Sequence, residues 1–286
     1  MDPVVVTQLI DLPADTVWNA LTREAELKKW YFPVQDYIFE EGKEFTFYES
    51  EDSCKFQHRC KFLRIIPHQL IETTWEHPSH SKGVSVVCWE IAPVKGKTLV
   101  KLTHSGIENF ADAGPEFSKE NYEAGWKAIV KTTLRNYLYG IEKLVFEIDI
   151  RTSPENLWHK LWHNGNYTLW TESFCEGSYI SGKLAYGERV HFLTPSGEGM
   201  YSDVVWVVEN QLVVFSHIGM MEDNRELPVD SETEKWTGCF ETYKLSENGE
   251  LTNLKVEVDA IPGYADYTKT AFPVALQRLK SLAENI

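Results

Sequence analysis

The sequence predicts an α+β protein of two tandem domains, residues 1–140 and 141–286, each an antiparallel sheet wrapped around a long C-terminal helix. Three observations carry this expectation. In Ser118–Tyr139 the apolar positions Tyr122, Trp126, Ile129, Val130, Thr133, Leu134, Tyr137 and Leu138 recur as one helical face over about five turns. The stretch before it, from Gly42 to His104, reads almost entirely as strands, and a lone helix after such a run hides its stripe by lying across the sheet. The same order of elements then returns in the second half of the chain.

In order, Val4–Leu12 reads as a first strand rich in β-branched residues, and Pro13 opens a short helix with Val17, Trp18 and Leu21 on one face. A second short helix, Glu24–Trp30, ends before Pro33. Strands follow at 44–48, 55–66, 70–76, 84–91 and 99–104, separated by turn sequences such as HPSHSKG and VKGK. Ser118 suits the N-cap of the long helix, with Phe117 stapling onto Tyr122, and Gly140 suits its left-handed close.

In the second half, Trp18, Leu21 and Trp30 reappear 140 residues on as Trp158, Leu161 and Trp170. EGKEFTF pairs with YGERVHF and LIETTW with LVVFSH, so an internal duplication is expected. Strands are expected at 146–152, 184–193, 199–208, 212–217, 237–245 and 251–258, and a second stripe runs from Phe272 to Ala283. Pro273 either opens or kinks that last helix, and an acidic insertion, Gly219–Lys235, replaces the short HPSHSK turn.

Composition excludes several classes. The chain has 286 residues, 43% hydrophobic and 25% charged, with a formal net charge of −15, of which −11 falls after Gly140. Such an acidic balance offers no phosphate-neutralising surface, so no nucleic-acid partner is expected. No window is long and apolar enough for a membrane span, and the N-terminus lacks a signal-peptide pattern. The five cysteines, Cys54, Cys60, Cys88, Cys175 and Cys239, are odd in number and lack paired spacing, which favours a reducing cytoplasm. Aromatics at 13%, ten of them Trp, fit cores that surround a cavity as well as cores that simply fill space.

Strand alternation turns His58, His104 and His217 inward. Each then serves either as a polar anchor or base in a ligand cavity or, more commonly, as a histidine satisfied by hydrogen bonds in the core. His159 and His163 stand one helical turn apart but off the apolar face, and His77 with His80 lies in a turn, so no metal site is expected. There is no GxSxG elbow and no phosphate cradle, since SGEG at 196–199 reads as a hairpin turn. The carboxylate clusters at Glu40–Asp52 and Glu222–Glu234 read as solvated faces. No cofactor is expected.

The ordered set of first strand, Pro-opened helix with Val-Trp, second helix ending in Trp, EGKEF, KLTHSG and EAGW resembles the SRPBCC or START-like (Bet v 1-like) superfamily. Within it, the sequence is most similar to the domain homologous to the C-terminal part of the activator of the heat-shock protein 90 ATPase. The likeness covers residues 1–140 well and 141–286 more loosely. It implies a helix-grip fold, often with an apolar cavity between helix and sheet, and a role in ligand binding, co-chaperone action or the stress response. Together these readings point to a protein that binds small apolar or amphipathic molecules without a recognisable catalytic apparatus. The expected cavity liners are Trp18, Trp30, Trp75, Trp89, His104, Tyr122 and Trp126 in the first half, with Trp158, Trp206, His217 and Phe272 in the second. The alternatives are a protein-interaction module with a chaperone or other basic protein as partner, and a cyclase- or hydrolase-like enzyme using an inward His such as His104 with Tyr122.

Overall fold

A computed structural model describes residues 2–49 and 55–285; Cys54 and the end of the first carboxylate cluster, Glu51 and Asp52, lie outside them. The chain divides into two compact units, Met1–Leu138 and Tyr139–Ile286.

The first unit opens with β1 (Val4–Ile10) and the short helices α1 (Ala14–Thr22) and α2 (Glu24–Trp30). Five strands follow: β2 (Glu44–Tyr48), β3 (Gln57–Ile66), β4 (Leu70–Glu76), β5 (Val84–Val94) and β6 (Lys97–Ser105). They form one antiparallel sheet in the order β1-β6-β5-β4-β3-β2. Burial alternates along the strands, so β4 turns Ile71, Thr73 and Trp75 inward and β6 turns Thr98, Val100, Leu102 and His104.

The closing helix starts where Ser118 Oγ accepts from the Asn121 backbone N–H, and ends at Gly140, whose φ of +67° is the left-handed value expected there. It is not uniform. An α-helix, α3 (Lys119–Lys127), passes into π-helical backbone over Ala128–Leu134 and then into α4 (Arg135–Tyr139). Hydrogen bonds from i to i+5 put more residues into each turn, so Trp126, Val130 and Leu134 face the core while Thr133, placed on the stripe by the 3.6-residue count, is exposed. Phe117 is buried, but its rings of contact are Phe56, His77 and His80 rather than Tyr122.

The second unit repeats the plan. β7 (Glu142–Ile150), α5 (Pro154–Trp162) and α6 (Asn164–Thr171) precede β8 (Tyr179–Gly182), β9 (Arg189–Leu193), β10 (Gly199–Val208), β11 (Leu212–Glu222), β12 (Arg225–Glu226), β13 (Phe240–Asn248) and β14 (Leu251–Ala260). The sheet order β7-β14-β13-β11-β10-β9-β8 reproduces that of the first unit and adds β8 at one edge. One hydrogen bond recurs with it: Thr98 Oγ1 donates to the Leu12 carbonyl at 2.6 Å, and Thr252 Oγ1 donates to the Thr152 carbonyl at 2.6 Å. The acidic insertion is partly strand, because β11 runs on to Glu222, and Asp223 and Asn224, both at positive φ, turn the chain into β12. The final helix α7 (Ala265–Ala283) holds Pro273 in its interior, where the carbonyl one turn back loses its N–H partner. Phe272, Ala275, Leu276 and Leu279 form its buried stripe.

Candidate ligand cavity

The inward faces of β3, β4 and β6 meet α3 over a cluster of rings in the first domain. Phe32, Phe47 and His58 stack in parallel, with Phe32–Phe47 at 5.2 Å and 7°, and Phe47–His58 at 4.5 Å and 5°. Trp75 stands edge-on to this stack, 4.7 Å from His58 and 5.0 Å from Trp126 on the helix. His77, one residue past β4, keeps the strand's parity and is also buried, 4.6 Å from His58.

His104 is fully committed. Trp126 Nε1–H donates to its Nδ1 at 2.9 Å, which leaves the proton on Nε2 to be donated to Ser85 Oγ at 2.7 Å; Ser85 in turn donates to the Trp75 carbonyl at 3.2 Å. Burial, helped by nearby His77, lowers His104 to a pKa of about 3, so this tautomer is the neutral one. With both nitrogens occupied it is the satisfied core histidine of the commoner reading, and it offers no free nitrogen to act as the base of the alternative one.

Tyr122 pairs instead with His77, at 2.5 Å from Nε2. Burial, then Glu49, raises the phenol, while burial, then His80, lowers His77 to about 4. The phenol therefore keeps its proton and the imidazole stays uncharged, so the two share a neutral hydrogen bond.

His58 has no such partners. It is 4% exposed, both ring nitrogens lack a hydrogen bond, and burial followed by the neighbouring His77, His104 and His80 lowers it to about 2. Trp75 Nε1–H, also buried, is without an acceptor. An unpaired buried polar group costs about 1–3 kcal/mol, so these atoms carry an uncompensated desolvation cost.

A cavity of about 100 Å³ adjoins these two residues. Phe32, Phe56, Phe117 and Trp126 give it aromatic walls, and His58, Trp75, His77 and Tyr122 supply its neutral polar groups. Glu49 and Glu116 add carboxylates to the lining, and desolvation raises the Glu49 carboxyl even though the residue as a whole is exposed. Gly125 also lines it, with no atom within 4 Å of where a Cβ would stand. A smaller void of about 50 Å³ lies on the other side of Trp75, against Trp30, Tyr31, Phe45 and Trp89.

The expected liners thus separate. Trp75, Tyr122 and Trp126 border the larger void, and Trp30 and Trp89 the smaller. His104 is sealed behind Trp126, and Trp18 packs elsewhere, stacked on His68 at 5.4 Å with Phe39 at its edge. In the second domain Phe272 stacks on Phe146 at 4.9 Å, and half-buried Trp158 packs edge-on against Trp162. His217 is buried between Ser202 Oγ at 2.8 Å and Glu241 at 3.4 Å. Trp206 does not face inwards: it is 58% exposed, because a bulge between Val204 and Trp206 shifts the strand by one residue and leaves Val207, paired with Val213, on the inner face. His159 and His163 stack at 4.8 Å on the exposed side of α5 and its end. Among the described residues no group of three His, Cys, Asp or Glu is placed to hold a metal.

Counting from the shared threonine, His104 in β6 corresponds to Val258 in β14, and on the closing helices Trp126 corresponds to Phe272. The second domain has apolar packing where the first has a polar pair.

Residues 11–139 match the family described as activator of Hsp90 ATPase homolog 1-like protein. The match spans most of the first unit. No curated protein matches the chain. Among solved structures, the Aha1 dimer from Colwellia psychrerythraea is 21% identical over 50% of this chain and 97% of its own, with a TM-score of 0.40. DynU16 of the dynemicin biosynthetic locus is 16% identical over 100% of this chain and 98% of its own, with a TM-score of 0.41. The di-domain ARO/CYC StfQ from the steffimycin biosynthetic pathway is 12% identical over 98% of each chain, with a TM-score of 0.37. The cavity described above lies wholly within the activator-like domain, and no helix of the described residues is long and apolar enough to cross a membrane.

Proposed function

We propose that the activator-like domain binds a small apolar or amphipathic molecule between α3 and the sheet. The observation that carries this reading is the aromatic-walled void bordered by the unpartnered His58 imidazole and Trp75 indole. A core built only for packing gains by closing such a void and by pairing or removing such groups, whereas a binding site keeps both. Native mass spectrometry of freshly purified protein tests it directly. The expected result is one additional small-molecule mass per chain, lost on gentle activation; protein that carries no such mass and shows no change in tryptophan fluorescence across a panel of aromatic and aliphatic compounds counts against it.

The family match and the exposed acidic stretch around β12, Glu222–Glu234, favour a second reading, a module that docks on a basic protein surface. Its signature is partner capture that weakens with added salt and with loss of that stretch.

A further inference from the structure

We propose that the occupant of the first-domain cavity is a small organic cation, an ammonium group carrying apolar substituents. This deepens the ligand-binding reading above and rests on it. Two kinds of group in the lining call for such a ligand. The first is carboxylate. Glu116 already has a counter-ion, Lys55 Nζ at 3.8 Å, whereas Glu49 has no basic side chain within ion-pairing distance among the described residues. Burial raises the Glu49 carboxyl, and no opposite charge stands near enough to bring it down again. The second is aromatic. Phe32, Phe56, Phe117, Tyr122 and Trp126 border the same void, and the negative face of such a ring attracts an ammonium. Phe56 already does so with a cation of the protein itself, since Lys55 Nζ lies 4.6 Å from the centre of its ring.

Other ligand classes fit the lining less well. An anion would put a third negative charge beside Glu49 and Glu116, and the Lys55–Glu116 pair is exposed at both ends, so it offsets little of that repulsion. A neutral apolar molecule fills the void but leaves the Glu49 carboxylate desolvated and without a partner. A metal ion needs several lone pairs in place of its water shell, and among the described residues no group of three His, Cys, Asp or Glu is placed to supply them. An ammonium with apolar substituents meets both demands, its charge set against Glu49 and its carbons against the rings. His58 and His77 do not oppose it, because burial holds both imidazoles neutral. The net charge of −15 adds a field that draws cations rather than anions toward the chain.

Three compounds of similar shape and different charge separate the possibilities: benzylammonium, benzyl alcohol and benzoate, titrated calorimetrically into the full-length chain at pH 7.5. The expected order places benzylammonium about tenfold tighter than either of the others. In Glu49→Gln, checked for its native circular dichroism, that preference shrinks to within about threefold while benzyl alcohol binding persists. Equal or tighter binding of benzyl alcohol or benzoate by the unmodified protein overturns the cation assignment and leaves the cavity reading standing. An undiminished preference for benzylammonium in Glu49→Gln overturns the role given to that carboxylate. Failure of all three compounds to bind overturns the cation assignment as well, and together with no co-purified mass it removes both proposals.

Discussion

At the scale of single residues, the first domain sorts its histidines by the partners they find. His104 has both nitrogens satisfied and behaves as a core residue, His77 is half of a pair with Tyr122, and His58 is left open. Trp126→Phe removes the donor to His104 Nδ1 and leaves a buried acceptor bare, so urea melts should show a loss of about 1–3 kcal/mol. Adding His104→Val, which reproduces the Val258 and Phe272 of the second domain, should recover part of that loss, a coupling that independent sites would not show. The same cluster sets a pH dependence. Unfolded imidazoles take up protons near pH 6.5, whereas His77, His104 and His58 do so in the folded state only at about 4, 3 and 2. The unfolded chain therefore holds more protons below pH 6.5, and stability falls as pH drops, with a limiting slope of about 1.4 kcal/mol per pH unit for each histidine. The raised carboxyl of Glu49 acts in the opposite sense at lower pH. Urea midpoints between pH 7 and 5 should decline, and His58→Phe should flatten the decline; an unchanged slope in that variant would show that His58 is not held neutral by burial.

At the scale of elements, the closing helix of the first domain combines a glycine facing the void with a π-helical stretch beside it. Gly125 is not at a positive φ and meets no atom where a Cβ would be, so nothing in the backbone demands glycine there. Gly125→Ala should raise stability by about 0.5–1 kcal/mol, the usual difference between these residues in a helix. Its methyl group should also weaken ligand binding, since it takes volume from the cavity lining. The two effects, read by urea melts and by calorimetry on one variant, separate the helix's structural role from its role at the site. The helix start, the Gly140 stop and the order of the strands were legible because capping chemistry and periodicity are local. The π-helical stretch was not, because Ala128–Leu134 has the side chains of an ordinary amphipathic helix.

At the scale of the whole molecule, the two domains share a framework and differ in their interiors. The threonine-to-carbonyl bond and the sheet order recur in both domains, while Val258 and Phe272 stand in the second where the first has the His104–Trp126 pair. One ligand per chain is therefore expected, bound by the first domain; a stoichiometry of two by native mass spectrometry would show that the second domain's apolar core also opens.

The sequence by itself determined the doubled α+β plan, the direction in which His58, His104 and His217 point, and the aromatic character of the cores, because these follow from periodicity and from spacings repeated along the chain. His77 was legible in principle, since it keeps the parity of Ile71, Thr73 and Trp75 one step past the end of β4. Only the tertiary structure decided which inward histidine is satisfied and which is open, that Trp206 turns outwards at a bulge, and that a void lies against Trp75. Hydrogen-bond partners such as Ser85 and Trp126 reach His104 from distant parts of the chain, and a cavity is what the packing of many such parts leaves unfilled.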